Sequence, residues 1–214
     1  MMEDKRYELV EDDFIIYKGK KLYRIRALKE ESRCYRYRIT HRGDLGGYIE
    51  GYHNLSQKGT CWIFNNAKVY GNAKIEDDAV VTGGAEVYGN ARVRDNAVIS
   101  DSATEIYGNA IIDDNAKVSG DSKVYGNAKI ENYAVVFSDS CVNSNAVVKG
   151  AAIVKGDSRI SDNAAVVGVK INSVIDTALY CRVENSDICD NAEFRGQVNM
   201  TLRDKLSDNS IISR

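Results

Sequence analysis

The sequence predicts a triangular parallel β-solenoid, an all-β fold in which short strands wind around a narrow core. Two observations predict it. A small residue recurs every six positions from Cys61 to Ala164, and an aliphatic residue follows nearly every one of them two positions later. A longer period is superimposed on the first. VYGNA or a close relative starts at positions 69, 87, 106 and 124, at spacings of 18, 19 and 18, so three hexads form one coil.

The six-residue period excludes a helix. An α-helix has 3.6 residues per turn, so residues spaced six apart would not stay on one face of it over a hundred positions. It is typical of short strands, in which the aliphatic residue and the small residue two positions earlier point to the same side. Pairs such as Gly71-Asn72 and Asp95-Asn96 separate the strands and tolerate the bent backbone of corners. Eighteen hexads predict six regular coils. The spacing of 19 places one extra residue after Ala103.

The segment before the repeat predicts a β cap over residues 1–58. Alternation at 14–17 and 22–26 around the turn 18–21 is typical of a β-hairpin, with a third strand around residues 35–40. A cap is expected because an open first coil would expose unpaired strand edges and core.

The segment after the repeat predicts a less regular end. The period breaks after Val166, but pairs such as Ile188 with Ala192 indicate about two irregular coils, so the solenoid extends over residues 59–200. In the last segment, 201–214, Leu202, Leu206 and Ile212 are at loose helical spacing, which predicts a short closing cap.

Composition and charge limit the classes of function. The 214 residues carry a net charge of −2, without the positive excess that nucleic acid or membrane binding requires. No run of 18 apolar residues occurs and the first residues are acidic, so we expect no membrane attachment and a cytoplasmic location. The five cysteines have no CxxC spacing, and the acidic corners are interpreted as turn formers, so no metal site is expected.

The repeated pattern [LIV]-x-x-[GND]-[AS]-x resembles the hexapeptide-repeat superfamily, most strongly over residues 61–166. GDLGGYI at 43–49, NLSQKGTCWI at 54–63 and the VYGNA strings together are similar to the YdcK-like bacterial and phage proteins of that superfamily. The resemblance implies a left-handed parallel β-helix. It also implies a homotrimer, because members of the superfamily commonly form trimers.

The hexads that contain VYGNA define a first face with an aromatic column. Its outward residues are Tyr70, Tyr88, Tyr107 and Tyr125. At a coil spacing of about 4.8 Å the rings can stack, as in a cross-strand aromatic ladder. One interpretation is a flat binding platform for a partner. The other is a surface ladder that stabilises only itself.

The third hexad of each coil defines a third face that is apolar where the other faces carry charge. Its candidate interface residues are Val80, Val98, Val135, Phe137 and Ile153. An apolar stripe of this length predicts association, and we expect a homotrimer packed through this face. The alternative is a monomer in which the valines reflect strand propensity alone.

The superfamily's known chemistry is acyl transfer from acyl-CoA or acyl carrier protein, with a histidine as general base. The repeat contains no histidine, because His41 and His53 both lie in the predicted cap. The superfamily's carbonic anhydrases need three histidines for zinc, and the chain has two. The sequence therefore favours a solenoid without a cofactor that presents surfaces to an unknown protein partner, as a scaffold, adaptor or inhibitor.

Two alternatives remain open at this stage. The first is an acyltransferase that binds CoA and uses His53 or His41 as a divergent base. The second is a phage counter-defence protein that binds a nucleotide signal or mimics nucleic acid with its acidic solenoid, since residues 61–200 carry a net charge of −6.

Overall fold

The computed structural model describes residues 5–32, 39–168, 182–184, 186–196, 199–201 and 205–213. They form an all-β solenoid of about 7 turns at a spacing of about 18 residues, preceded by an antiparallel hairpin. The predicted fold class is confirmed. In the described part of the chain, no helix has the length and the apolar composition of a membrane span.

Within the described residues, the elements are strands and one 3₁₀ turn, Tyr52–Asn54. In chain order the strands are β1 (Tyr7–Tyr17), β2 (Lys20–Ala27), β3 (Glu31–Ser32), β4 (Ile39–Thr40), β5 (Leu45–Ile49), β6 (Trp62–Ile63), β7 (Lys68–Val69), β8 (Lys74–Ile75), β9 (Val80–Val81), β10 (Glu86–Val87), β11 (Arg92–Val93), β12 (Val98–Ile99), β13 (Glu105–Ile106), β14 (Ile111–Ile112), β15 (Lys117–Val118), β16 (Lys123–Val124), β17 (Lys129–Ile130), β18 (Val135–Val136), β19 (Cys141–Val142), β20 (Val147–Gly150), β21 (Ile153–Lys155), β22 (Arg159–Ile160), β23 (Ala165–Gly168), β24 (Arg182–Glu184), β25 (Asp187–Ile188), β26 (Glu193–Gly196), β27 (Asn199–Thr201), β28 (Lys205–Leu206) and β29 (Ile211–Ser213).

Three sheets form the faces of the solenoid. The first face has the strand order β1-β2-β5-β7-β10-β13-β16-β19-β22-β25-β28. The second face contains every third strand from β8 to β29, and the third face contains every third strand from β6 to β27. In the first face, the pairs β1–β2 and β2–β5 are antiparallel, and the pairs from β5–β7 onwards are parallel. Glu86 faces Lys68 on one side and Glu105 on the other, which reproduces the spacings of 18 and 19.

The break in the period after Val166 is confirmed. Arg159 pairs with Asp187, a step of 28 residues, so ten residues more than one coil separate them. The predicted pair of Val174 and Ala178 lies outside the described residues. Ile188 and Ala192 are fully buried in the core, as the spacing predicts.

The N-terminal hairpin is confirmed, with β1 and β2 joined by a turn at Lys18 and Gly19, whose φ angles are 47° and 77°. The predicted third strand lies mostly outside the described residues, and its last two positions form β4. Strand β5 pairs antiparallel with β2 and parallel with β7. The cap is therefore hydrogen-bonded directly into the first face, and the parallel ladder already starts at β5.

One core assignment from the hexad pattern is wrong. Ala103 was expected at the small-residue position, but it is exposed and Thr104 is fully buried in its place. The amide of Glu86 donates to the Thr104 carbonyl, as the amide of Lys68 does to Ala85 one coil earlier. The Thr104 hydroxyl lies 2.6 Å from the Ser100 carbonyl, so the extra residue bulges at the corner while a satisfied hydroxyl takes the core position.

The helical spacing expected in the last segment is also wrong. The described residues 205–213 form β28 and β29. Leu206 lies opposite Ile188, and Ile212 lies opposite Phe194, each 18 residues earlier. The coil period therefore explains these apolar positions, and the solenoid continues into this segment.

Candidate interaction surfaces

The tyrosine column of the first face forms as predicted. Successive ring centroids of Tyr70, Tyr88, Tyr107 and Tyr125 are 5.0, 5.0 and 4.7 Å apart, with interplanar angles of 1°, 3° and 3°. The rings follow the parallel ladder because each tyrosine comes directly after a paired core residue such as Val69 or Val87. Whether the column also binds a partner stays a prediction.

The cap hairpin covers the upper half of this column, where upper means nearer to the N-terminal cap and lower means nearer to the C-terminal coils. Tyr70 is only 5% exposed, and Tyr17 packs against its ring edge-on at 6.1 Å. The Lys18 Nζ lies 5.2 Å from the Tyr88 ring centroid, within range of a cation–π interaction. Tyr107 and Tyr125 are half-buried. The rungs open to a partner are therefore the lower two.

Glu86 connects the hairpin to the column. Its carboxylate accepts hydrogen bonds from the Tyr17 hydroxyl, from Lys18 Nζ at 2.9 Å and from the Tyr70 hydroxyl at 2.9 Å. Although burial alone would raise the pKa of Glu86, these three donors lower it. Burial, followed by the bond to Glu86, raises the pKa of Tyr70. We call this group, Tyr17, Lys18, Tyr70 and Glu86, the cap clasp.

Glu105 occupies the equivalent position one coil further along, where its hydrogen bond and ion pair come from the solenoid and Lys18 of the cap adds only a charge interaction. It accepts a hydrogen bond from the Tyr88 hydroxyl at 2.9 Å and pairs with Lys123 Nζ at 3.0 Å. Lys123 therefore supplies at this coil the positive charge that Lys18 supplies at the coil before.

The predicted interface on the third face is only partly accessible. Val80 is 1% exposed and Val98 is 6% exposed in the single chain, so these two residues are not available to a partner. Val80 lies between Trp62 and Val98 in the sheet, and Trp62 is itself buried against the Tyr7 ring. The sequence pattern placed the column, but it did not show that the upper end of the column is buried.

The lower half of the same face remains open to contact. The predicted residues Val135, Phe137 and Ile153 are half-buried, and Tyr133 is 47% exposed. Val135 and Ile153 are direct neighbours in the parallel ladder. We call this group, Tyr133, Val135, Phe137 and Ile153, the lower apolar patch.

A groove of about 430 Å³ runs beside the lower apolar patch. One wall is a corner column and the other is the outward column of the third face, with Asp78, Asn96, Val98, Asn115, Lys117, Tyr133 and Val135 as the lining residues. The hexad pattern did not predict this groove. The signal was present, because the corner residues 78, 96, 115 and 133 recur at coil spacing.

The two histidines lie at the cap end of the molecule. His53 is exposed in the 3₁₀ turn, and its Nε2 is 2.8 Å from the carbonyl oxygen of Gly71. His41 is exposed as well, with Nδ1 3.4 Å from a carboxylate oxygen of Glu30. Neither residue lines the groove on the third face.

An asparagine ladder follows one corner of the solenoid, which the sequence analysis interpreted only as turn residues. Each side-chain amide donates to the amide oxygen of the next coil at 2.9–3.3 Å, through Asn72, Asn90, Asn109, Asn127, Asn145, Asn163, Asn191 and Asn209. The ladder satisfies exposed amides within the chain and stabilises the corner. At the same corner, Asp162, Cys189 and Asp190 bring three potential metal-ligand atoms within 4.8 Å of one another.

Comparison with known proteins adds no family to this description. No family model matches the sequence, and no curated protein matches it.

Proposed function

We propose that this chain is a non-enzymatic β-solenoid that presents surfaces for macromolecular interaction, as a scaffold, adaptor or inhibitor. We propose further that copies of the chain pack through the third face into a homotrimer. The observation that supports this is the lower apolar patch, in which two neighbouring coils expose aromatic and aliphatic side chains beside a groove.

The patch suits a binding surface for a physical reason. Its backbone is fixed by the parallel ladder, because Val135 pairs with Lys117 on one side and with Ile153 on the other. Binding of a partner therefore costs this chain little backbone conformational entropy. Aromatic residues such as Tyr133 and Phe137 bury a large apolar area and are enriched in protein interfaces.

Native mass spectrometry of the full chain at micromolar concentration tests the proposal. We expect assemblies built from three protomers, and we expect Val135→Glu to dissociate them by placing a charge in the interface. Ile111→Glu is the matched control, because Ile111 is also a half-buried outward residue but lies on the second face. A monomeric wild-type mass would contradict the trimer.

The same spectrum tests the enzymatic and nucleotide-binding alternatives. A retained CoA molecule would instead favour acyl transfer with His53 or His41 as the base, and a retained nucleotide would favour the counter-defence interpretation. Nucleic-acid mimicry needs a separate pull-down experiment. Failure of the ligand-free assembly to capture a basic protein in a salt-sensitive manner would count against it.

A further inference from the structure

The groove on the third face crosses four successive coils. Each coil contributes one corner residue to the first wall, in the order Asp78, Asn96, Asn115 and Tyr133, and the outward residues Val98, Lys117 and Val135 form the second wall. These coils pair in parallel, so the groove follows the solenoid axis over three coil spacings of about 4.8 Å each. Its volume of about 430 Å³ lies in the range of ligand sites.

The polar groups of this groove are not used by the fold. In the corner ladder Asn90 donates to Asn109, 19 residues later, at 2.9 Å. Asn96 and Asn115 occupy adjacent coils in the same way, yet neither side-chain amide forms a hydrogen bond within the described part of the chain. The exposed ammonium of Lys117 has no ion pair or hydrogen bond among the described residues either. The groove therefore offers two amides and one cation to a ligand.

The remaining lining offers apolar contact. Val98 is 6% exposed, Val135 is half-buried, and Tyr133 exposes 47% of its surface at the lower end of the groove. An aromatic ring beside aliphatic side chains packs against flat apolar surfaces, such as the C–H face of a sugar ring. A carboxamide both donates and accepts hydrogen bonds, as a sugar hydroxyl does. Apolar faces with hydroxyl edges are the chemistry of a carbohydrate.

The spacing of the amides favours a sugar chain over an extended peptide. Equivalent groups on neighbouring coils lie about 4.8 Å apart. A linear pyranose chain advances by nearly this length with each sugar, so each ring can meet one coil. An extended peptide directs equivalent groups to one side only at every second residue, about 6.6 Å apart, and falls out of step with the coils.

Lys117 adds recognition of a negative charge. Asp78 is the acidic residue among the described residues that line the groove, and it lies two coils closer to the cap. Its Oδ1 accepts hydrogen bonds from the Thr60 amide at 2.9 Å and from the Thr60 hydroxyl at 2.8 Å. The Lys117 ammonium is thus available to a ligand carboxylate, which a uronic acid carries on its ring. One cation beside one carboxylate does not suit the dense charge of a nucleic acid.

We propose that the groove binds a linear polysaccharide that contains uronic acid. One sugar lies against each coil, the Tyr133 ring packs against a sugar face, the two amides bond to hydroxyls, and Lys117 pairs with a carboxylate. This rests on the surface-presenting function proposed above, for which it names the partner, but it does not require the trimer. Tyr133 and Val135 also belong to the lower apolar patch, whereas Asn96, Asn115 and Lys117 lie on the cap side of it.

An array of linear oligomers of glucuronate, mannuronate and galacturonate, with their neutral counterparts, tests the proposal on the full chain. We expect the chain to retain uronate oligomers, and Lys117→Ala to weaken their binding about tenfold while neutral sugars change little. Lys129→Ala is the matched control, because Lys129 is an exposed lysine directly before a buried aliphatic residue, as Lys117 is, but lies on the second face. No retained uronate oligomer, or equal losses in the two variants, would overturn the proposal.

Tyr133→Asn tests the aromatic contact. It restores at this corner the residue found at positions 96 and 115, so we expect the coil to fold. Because the ring packs against a sugar face, binding of neutral and acidic oligomers should weaken alike, and unchanged binding of both would contradict the assigned contact. A hexaglutamate peptide that binds with the same dependence on Lys117 would instead indicate a protein ligand and overturn the proposal.

Native mass spectrometry separates this proposal from the trimer. The assembly of Lys117→Ala should have the same number of copies as the wild type, so that its loss of uronate binding reports on the groove alone. A trimeric wild type that binds no glycan would refute the polysaccharide site and leave the trimer standing. A monomer that binds uronate oligomers would refute the trimer and support the site.

Discussion

The cap clasp predicts that Glu86→Gln loosens the N-terminal hairpin without unfolding the solenoid. The Glu86 carboxylate is the common acceptor for Tyr17 and Lys18 of the hairpin and for Tyr70 of the column. Glutamine has nearly the same shape, but it carries no charge and replaces one acceptor oxygen by a donor. The ion pair with Lys18 and at least one of the three accepted hydrogen bonds are therefore lost.

The magnitude follows from the exposure of the groups. Glu86 exposes 14% of its side chain and Lys18 exposes 50% of its own, so solvent screens part of the ion pair. A hydrogen bond to a charged group contributes about 1.5–3 kcal/mol, against about 1 kcal/mol for a neutral pair. We therefore expect a loss of about 1–3 kcal/mol in the free energy of opening the hairpin.

Amide hydrogen exchange measures this local opening residue by residue. The buried Leu22 of the hairpin is the reporter. Its protection should fall by about fivefold to a hundredfold, because 1.4 kcal/mol corresponds to a factor of about ten. Glu105→Gln is the control, since Glu105 forms its hydrogen bond with Tyr88 and its ion pair with Lys123, both of the solenoid, and interacts with Lys18 of the cap through charge alone. Equal losses of Leu22 protection in both variants, or none in Glu86→Gln, would refute the role of the clasp.

Three further predictions concern the solenoid. Val87→Asp buries a charge at a fully buried position, so the thermal midpoint should fall sharply, and a wild-type midpoint by circular dichroism would contradict the register. Gly59→Ala should lower the denaturant midpoint more than Gly19→Ala. Both glycines have positive φ, but of the two only Gly59 would bring a Cβ into collision with backbone, at the Asp77 carbonyl. Equal losses in the two variants would contradict this. Burial and the bond to Glu105 raise the pKa of Tyr88, so the unfolded chain loses this proton at a lower pH than the folded chain does. The free energy of unfolding should therefore fall above about pH 10. Urea titrations from about pH 8 to 11 would measure this, and a constant value would contradict it.

The regular part of the fold could be predicted because each coil repeats the same packing problem. Val69, Val87 and Ile106 occupy one column in the sequence, and they occupy one column of paired core residues in the structure. Periodicity carries this information because buried positions along a parallel ladder must coincide. It fails where one residue is inserted, since the six-residue pattern places Ala103 in the core, whereas the structure buries Thr104 there. The Thr104 hydroxyl is satisfied at that position by a hydrogen bond to the Ser100 carbonyl.

The surfaces were harder to predict because they depend on contacts between segments that do not repeat. Nothing in the alternation of β1 indicates that Tyr17 and Lys18 reach Glu86, which is 69 and 68 residues away. The burial of Val80, which is 1% exposed, likewise could not be read from the period, since the outward Val135 three coils further along the same column is half-buried. Outward positions can be assigned from the period, but their exposure follows from the size of the side chains beside them.

Departures from the repeat are therefore the most informative positions for function in this molecule. Residues that follow the period, such as the asparagines of the corner ladder, are explained by the hydrogen bonds that they make within the solenoid. Tyr133 breaks its corner column after Asp78, Asn96 and Asn115, and it exposes a ring where these three preceding coils place a short polar side chain. A partner that packs against the third face would gain apolar area from an aromatic residue at that corner. The lower apolar patch thus begins where the corner departs from its pattern, and this coincidence favours the third face over the self-satisfied corner ladder as the proposed interaction surface.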